Sequence, residues 1–242
     1  MLKRSQIFLI LILTPILIFV LSIYLNLNKD LRIAHAGGQY NDKNYPNSIA
    51  SIEHNLRFTK YFELDLQLTK DNKLVCLHNG NVDFKNFDQI KDNIIKNDYC
   101  YDETLKEFLD KNKEIKIITD FKTDNIEGLS FIKEYFQSDF NRFIPQIYYE
   151  KEYQKVKNLG FEKIIFTFYR IPNYSNDQIL KILDNMDLFA ITIDPARLRS
   201  GIIKKIDKQN LFVYVHTVNS RLRFLQYKLF FGADEIYTDS LF

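Results

Sequence analysis

Tryptophan is absent from the 242 residues, and cysteine occurs only twice. Two cysteines make no disulfide framework, and Cys76 and Cys100 match no metal-ligand spacing. Cys76 lies two residues before His78, so in a strand the two share a face. It is expected as a buried free thiol, with pairing to Cys100 open to it in an oxidising compartment. An excess of one charge is also missing: 33 Lys and Arg against 31 Asp and Glu leave a formal net charge of +2. That balance excludes the electrostatic footprint of a nucleic-acid binder. No Gly-x-Gly-x-x-Gly turn follows the first strand, which speaks against a dinucleotide fold. What is present is a globular composition, 46% hydrophobic and 26% charged. Its aromatics, 15% of the chain, are all Phe and Tyr, so a ring-packed core is expected.

The first thirty residues differ from the rest. Lys3 and Arg4 precede an apolar run from Ile7 to about Leu25, long enough to cross a bilayer. Positive residues on its N-terminal side would keep that end in the cytoplasm. A cleaved signal peptide would need a shorter run and an Ala-x-Ala-like site, which Tyr24 to Asn28 does not offer. Residues 1–28 are therefore expected to be a single-pass anchor to the inner (cytoplasmic) membrane, and 29–242 an extracytoplasmic domain. The linker from Asn28 to Ile33 spans roughly 20 Å at most.

After Asn28, strand and helix patterns alternate to the end. Strands are expected at 31–35, 61–68, 115–121, 143–148, 163–168, 188–194, 211–218 and 235–239. Helical periodicity fills 47–58, 103–112, 126–136, 150–159, 176–186, 197–208 and 220–231, with Ser175 or Asn176 and Asn219 or Ser220 as caps. Residues 72–101 break the rhythm as a strand, 73–78, followed by a polar insertion. Eight apolar strands with helices between them argue for a (β/α)8 barrel, a TIM barrel, preceded by one N-terminal transmembrane helix. In such a barrel the functional site lies at the C-terminal ends of the strands.

His35, Glu63, Asp65, Asp120, Lys122 and His216 all fall at or near those ends. Glu63 and Asp65 are two apart in one strand and so point to the same interior face. Like charges there repel unless a cation or a proton relieves them. Asp120 adds a third oxygen ligand, a set that suits Mg²⁺ or Ca²⁺. Lys122 can neutralise Asp120 or contact a phosphate oxygen. His35 and His78 are natural proton-transfer groups. His216 is a candidate for the pocket wall, and His54, mid-helix, reads as a surface residue. Gly37-Gly38 would let the backbone approach a ligand closely.

The order of these pieces resembles the glycerophosphodiester phosphodiesterase family. The segments that carry the resemblance are Ala34-His35-Ala36-Gly37-Gly38, Tyr45-Pro46-Asn47-Ser48, Glu63-Leu64-Asp65, Thr69-Lys70-Asp71-Asn72, His78-Asn79, Asp120-Phe121-Lys122, and the tail Val213–Asn219 with Gly232–Asp239. It implies a divalent-metal phosphodiesterase acting on small-molecule glycerophosphodiesters or lipid headgroups. His35 and His78 would be base and acid, Glu63, Asp65 and Asp120 the metal ligands, and Lys122 and His216 the substrate contacts. Three positions depart from the family pattern: Ala36 replaces an arginine, Pro46 a glutamate ligand and Asn79 an aspartate. The related sphingomyelinase D branch of the same barrel shares a three-carboxylate shell and Asp-x-Lys. A binding module that has lost its chemistry, or an enzyme like phosphatidylinositol-specific phospholipase C, are the alternatives.

Overall fold

The computed structural model describes residues 13–16, 31–43, 45–168, 174–206 and 211–240. The expected anchor, residues 1–28, lies outside these but for 13–16. Among the described residues no helix is long and apolar enough to cross a membrane.

The strands are β1 (Ile33–Ala34), β2 (Tyr61–Leu68), β3 (Leu74–Cys76), β4 (Lys116–Phe121), β5 (Phe143–Ile147), β6 (Ile165–Thr167), β7 (Ala190–Ile193), β8 (Phe212–Val215) and β9 (Glu235–Thr238). Their order is β1-β9-β8-β7-β6-β5-β4-β2, and β1 also pairs with β2, so eight parallel strands close into a barrel. β3 lies outside the ring, antiparallel to β2. This is the expected (β/α)8 barrel.

Period-2 alternation divides each strand between two cores. Ile33, Ile118, Ile144, Ile165, Ala190, Tyr214 and Tyr237 fill the barrel interior as a plug. The residues between them, such as Phe62, Leu64, Ile117, Phe166, Ile191 and Val213, pack outward into the larger core beneath the helices. Each fully buried side chain of this size contributes roughly 1.5–3 kcal/mol. Above the plug Gln146 accepts from Thr167 Oγ1 at 2.9 Å and from the Tyr237 hydroxyl at 3.1 Å. That polar layer is the floor of the mouth.

The helices are α1 (Ile49–Asn55), α2 (Lys91–Asn97), α3 (Asp102–Lys111), α4 (Asn125–Tyr135), α5 (Glu150–Leu159), α6 (Asn176–Leu183), α7 (Pro195–Arg199) and α8 (Arg221–Gln226). Ser175 caps α6 by accepting from Gln178 N, and Ser220 caps α8 by accepting from Arg223 N. The expected helix at 197–208 is cut short at Gly201, whose φ of +82° favours glycine; a 3₁₀ turn, Ile202–Lys205, follows.

One expectation is overturned. Cys76 is not a free thiol but forms a disulfide with Cys100, with Cα atoms 5.0 Å apart. β3 carries Cys76 back alongside β2, and Cys76 N donates to Cys100 O at 2.7 Å, so the two ends of the polar insertion already meet. Spacing in the sequence does not show that return.

Candidate active site

β2 places Glu63 and Asp65 on the inward face at the upper end of the barrel. β4 lies beside it in a register that pairs Asp65 with Asp120. The three carboxylates are buried, and each offers an oxygen within 4.8 Å of the others. Lys122 follows two residues after Asp120, so its ammonium reaches the same group: Nζ lies 2.6 Å from Asp65 Oδ1 and 2.7 Å from Asp120 Oδ2. The Tyr148 hydroxyl donates to Asp120 Oδ1. Asn47, just before α1, holds Asp65 twice: its Nδ2 donates to Oδ2 at 2.9 Å, and its Oδ1 accepts from Asp65 N at 3.0 Å.

β1 ends at Ala34, and a tight turn, His35–Gly37, follows. Ala36 adopts a left-handed conformation at φ +49°, which costs a residue with a Cβ roughly 1 kcal/mol. The turn aims Ala36 N at Glu63 Oε2, 2.7 Å away. His35 Nδ1 lies 2.7 Å from Asp239 Oδ1, and its Nε2 lies 3.9 Å from Glu63 Oε2. The close approach expected at Gly37-Gly38 is to the protein itself, since a Cβ on Gly37 would stand 2.5 Å from Ser51 Oγ.

The remaining candidates complete the mouth. The His216 ring lies edge-on to that of His35, with centroids 4.7 Å apart. The ring of Tyr45 stands between the two proposed proton carriers, 5.0 Å from His35 and 4.6 Å from His78. Tyr45 also has a positive φ, +58°, an uncommon conformation for a bulky residue. Its hydroxyl has no hydrogen-bond partner among the described residues. His78 Nδ1 is buried without a partner. His54 lies on the outside, its ring against that of Tyr40.

Charge is unevenly balanced here. Burial and the neighbouring charge of Asp65 push Glu63 up to about 8, against the pull of His35 and Lys122. Burial favours the neutral form of His35, but Glu63, the bond to Asp239 and the Asp239 charge outweigh it and raise His35 to about 9. Asp65 goes the other way: burial is overcome by Lys122 and by the Asn47 amide, and its carboxyl sits below the usual range. Lys122, half-buried among carboxylates, is held firmly charged.

The cluster thus has more carboxylate than its own cations neutralise. Glu63 Oε1 is buried with no hydrogen-bond partner. A hard divalent cation fits that donor set, since such ions take several carboxylate oxygens at once. Glu63, Asp65 and Asp120 would hold it.

All seven residues singled out in the sequence meet at one mouth. Sequence reasoning missed Tyr148, and treated Asp239, Tyr45 and Asn47 only as parts of motifs. Two of these were readable from the barrel. Closure sets β9 parallel to β1 with Thr238 opposite Ala34, hence Asp239 beside His35. Inward positions on β5 run 144, 146, 148, hence Tyr148 beside the carboxylates. Tyr45 depends on a left-handed turn that no pattern announces.

The model of the glycerophosphoryl diester phosphodiesterase family matches residues 38–241. No curated protein matches the chain. Among solved structures, a glycerophosphodiester phosphodiesterase from Parabacteroides distasonis is similar at 20% identity and a TM-score of 0.66, covering 86% of this chain and 92% of its own. One from Thermotoga maritima is similar at 15% identity and a TM-score of 0.71, covering 88% and 95%. An Oleispira antarctica phosphodiesterase, solved with its product sn-glycerol-3-phosphate, is similar at 15% identity and a TM-score of 0.62, covering 87% and 93%.

Proposed function

Because the chain belongs to the glycerophosphoryl diester phosphodiesterase family, and is thereby a phosphoric diester hydrolase, we propose that it cleaves water-soluble glycerophosphodiesters with His35 and His78 as its acid–base pair. The observation that carries this reading is the meeting of three buried carboxylates with two imidazoles at the C-terminal mouth of the barrel.

In this reading a hydroxyl of the substrate's glycerol attacks the phosphorus. His35 Nε2 takes the proton of that hydroxyl while Asp239 holds Nδ1 and fixes the ring. A new phosphorus–oxygen bond closes a cyclic phosphodiester, the bond to the headgroup oxygen breaks, and His78 gives that oxygen a proton. Water then attacks the same phosphorus, His78 takes its proton, and His35 returns one to the ring oxygen as the ring opens. Lys122 and His216 bind the phosphoryl oxygens. Tyr45 supplies a further hydroxyl donor where the family's arginine is missing, since Ala36 offers only its backbone N–H, already bound to Glu63. Held by Glu63, Asp65 and Asp120, Mg²⁺ or Ca²⁺ would offset phosphoryl charge and lower the proton affinity of Glu63 and His35. Pro46 has no side-chain donor, so a ligand set on this chain rests on those three carboxylates.

Cellular placement belongs to the same proposal. The apolar run with Lys3 and Arg4 before it supports an anchor at 1–28. The Cys76–Cys100 disulfide supports an oxidising, extracytoplasmic compartment. A short linker into β1, at the bottom of the barrel, would leave the mouth facing away from the bilayer. That orientation supports soluble diesters over intact lipids.

Replacing either histidine tests the assignment. His35→Ala and His78→Ala should each lower kcat by about 10²- to 10⁴-fold with the melting temperature little changed. Unchanged turnover in either variant would remove that residue from the mechanism.

A further inference from the structure

The polar insertion does more than extend β3. Residues 77–82, Lys85 and Asn93 of α2 face Tyr45 across a cavity of about 320 Å³. That volume exceeds what a glycerol unit needs. Its inner wall is His78 and Tyr45, the same two rings that meet edge-on at the catalytic mouth. A group bonded to an oxygen that His78 protonates can therefore extend into this cavity.

The chemistry of the walls is specific. Asn79, Asn81 and Asn93 each present an amide, and each amide can both donate and accept. Asn79 and Asn81 spend no side-chain hydrogen bond within the described protein. Asn93 commits its Oδ1 to Asn97 and keeps its amide N–H free for another partner. Lys85 adds an ammonium, and no Asp or Glu is among the lining residues. A hydroxyl also donates and accepts, so several amides around one space match a polyol. A trimethylammonium or ammonium headgroup finds no counter-charge there and meets Lys85 instead. Tyr45, in T-shaped contact with His35 and His78, and Tyr99 are the aromatic members of the wall, and Lys85 is its one permanent charge.

We propose that this cavity is the headgroup site of the enzyme, and that it selects diesters whose alcohol is a polyol over those carrying a quaternary or primary ammonium. The assignment rests on the phosphodiesterase reading and deepens it by naming the leaving alcohol.

The test uses the full-length protein with added Mg²⁺ or Ca²⁺ and three substrates: glycerophosphoglycerol, glycerophosphocholine and glycerophosphomethanol, the last having almost no headgroup. The wild type should show at least tenfold higher kcat/KM on the glycerol diester than on the choline diester. Asn81→Ala should lower kcat/KM on the glycerol diester about tenfold, the worth of one hydrogen bond in a specific site, and leave the methanol diester within about twofold. Lys85→Glu should raise kcat/KM on the choline diester severalfold. Both side chains are exposed and neither holds the fold. Equal or better use of the choline diester by the wild type, or a preference that Asn81→Ala does not change, would overturn the headgroup site while the methanol diester still reports working chemistry. Failure to cleave even the methanol diester would contradict the phosphodiesterase reading, and the headgroup site would fall with it.

Discussion

Glu63 shows most plainly how the residues of the site constrain one another. It is buried beside Asp65 and Asp120, and its carboxyl is pushed up to about 8. Above pH 8, where Glu63 carries its charge, neutralising it should relieve that crowding, so Glu63→Gln is expected to melt at a higher temperature than the wild type in chelator there. The same substitution removes a ligand, so the rise in melting temperature on adding Mg²⁺ or Ca²⁺ should shrink. Thermal shift assays with and without chelator measure both. An undiminished metal-dependent rise in Glu63→Gln would take Glu63 out of the ligand set. Glu63 and Asp65 were legible in the sequence because strand alternation puts residues two apart on one face. Ala36 was not: its left-handed turn, which directs a backbone N–H at Glu63, is a local conformation that alanine rarely adopts.

Among the elements, the insertion between β3 and α3 is the one that departs from the barrel repeat. The disulfide closes it across a sequence separation of 24 residues. Loop-closure entropy assigns such a bridge about 3 kcal/mol. The bridge also touches the site, since Cys100 N donates to the Asn47 carbonyl at 2.8 Å and the Asn47 side chain holds Asp65. Cys76→Ser combined with Cys100→Ser should therefore lower the melting temperature by several degrees. It should also raise KM for glycerophosphodiesters more than it lowers kcat. A double variant as stable as the wild type would show that the bridge is absent or inert in solution. The sequence disclosed this insertion as a break in rhythm. It could not disclose the pairing, which depends on β3 folding back against β2. The helix expected at 197–208 failed for a simpler reason: its apolar period continues past Gly201, but the backbone does not.

At the scale of the whole molecule, the barrel separates chemistry from support. The mouth holds the histidines and carboxylates, the plug of Ile33, Ile118, Ile144 and Tyr214 excludes water below them, and a second charged group lies at the opposite end. Glu235, at the start of β9, is 1% exposed. Burial raises it to about 7, against the pull of Lys228 and Arg32. A carboxyl raised on folding favours the protonated native state. Its contribution is therefore full below the unfolded value near 4.5 and is lost as pH rises through about 7. The melting temperature of the wild type relative to Glu235→Gln should accordingly fall between pH 5 and pH 8. A difference that stays flat over that range would place the titration of Glu235 elsewhere.

The barrel itself was the most legible feature, because eight apolar strands at regular spacing admit few other closed arrangements. The site was legible as far as barrel topology sorts residues by strand end. Of the supports of that site, Asp239 and Tyr148 follow from closure and strand alternation, while Asn47 and Tyr45 come from a loop, where pattern carries little information.

If this mouth cleaves a glycerophosphodiester with the help of a metal, chelation controls the reaction. The most direct test is hydrolysis of glycerophosphoglycerol by the full-length chain before chelation, after EDTA, and after adding back Mg²⁺ or Ca²⁺. EDTA should abolish turnover and one of the two ions restore it, with His78→Ala at least about 10²-fold slower than the wild type before chelation and after the ion is restored. Turnover that survives EDTA, or a His78→Ala variant as fast as the wild type, would contradict metal-assisted cleavage at this mouth.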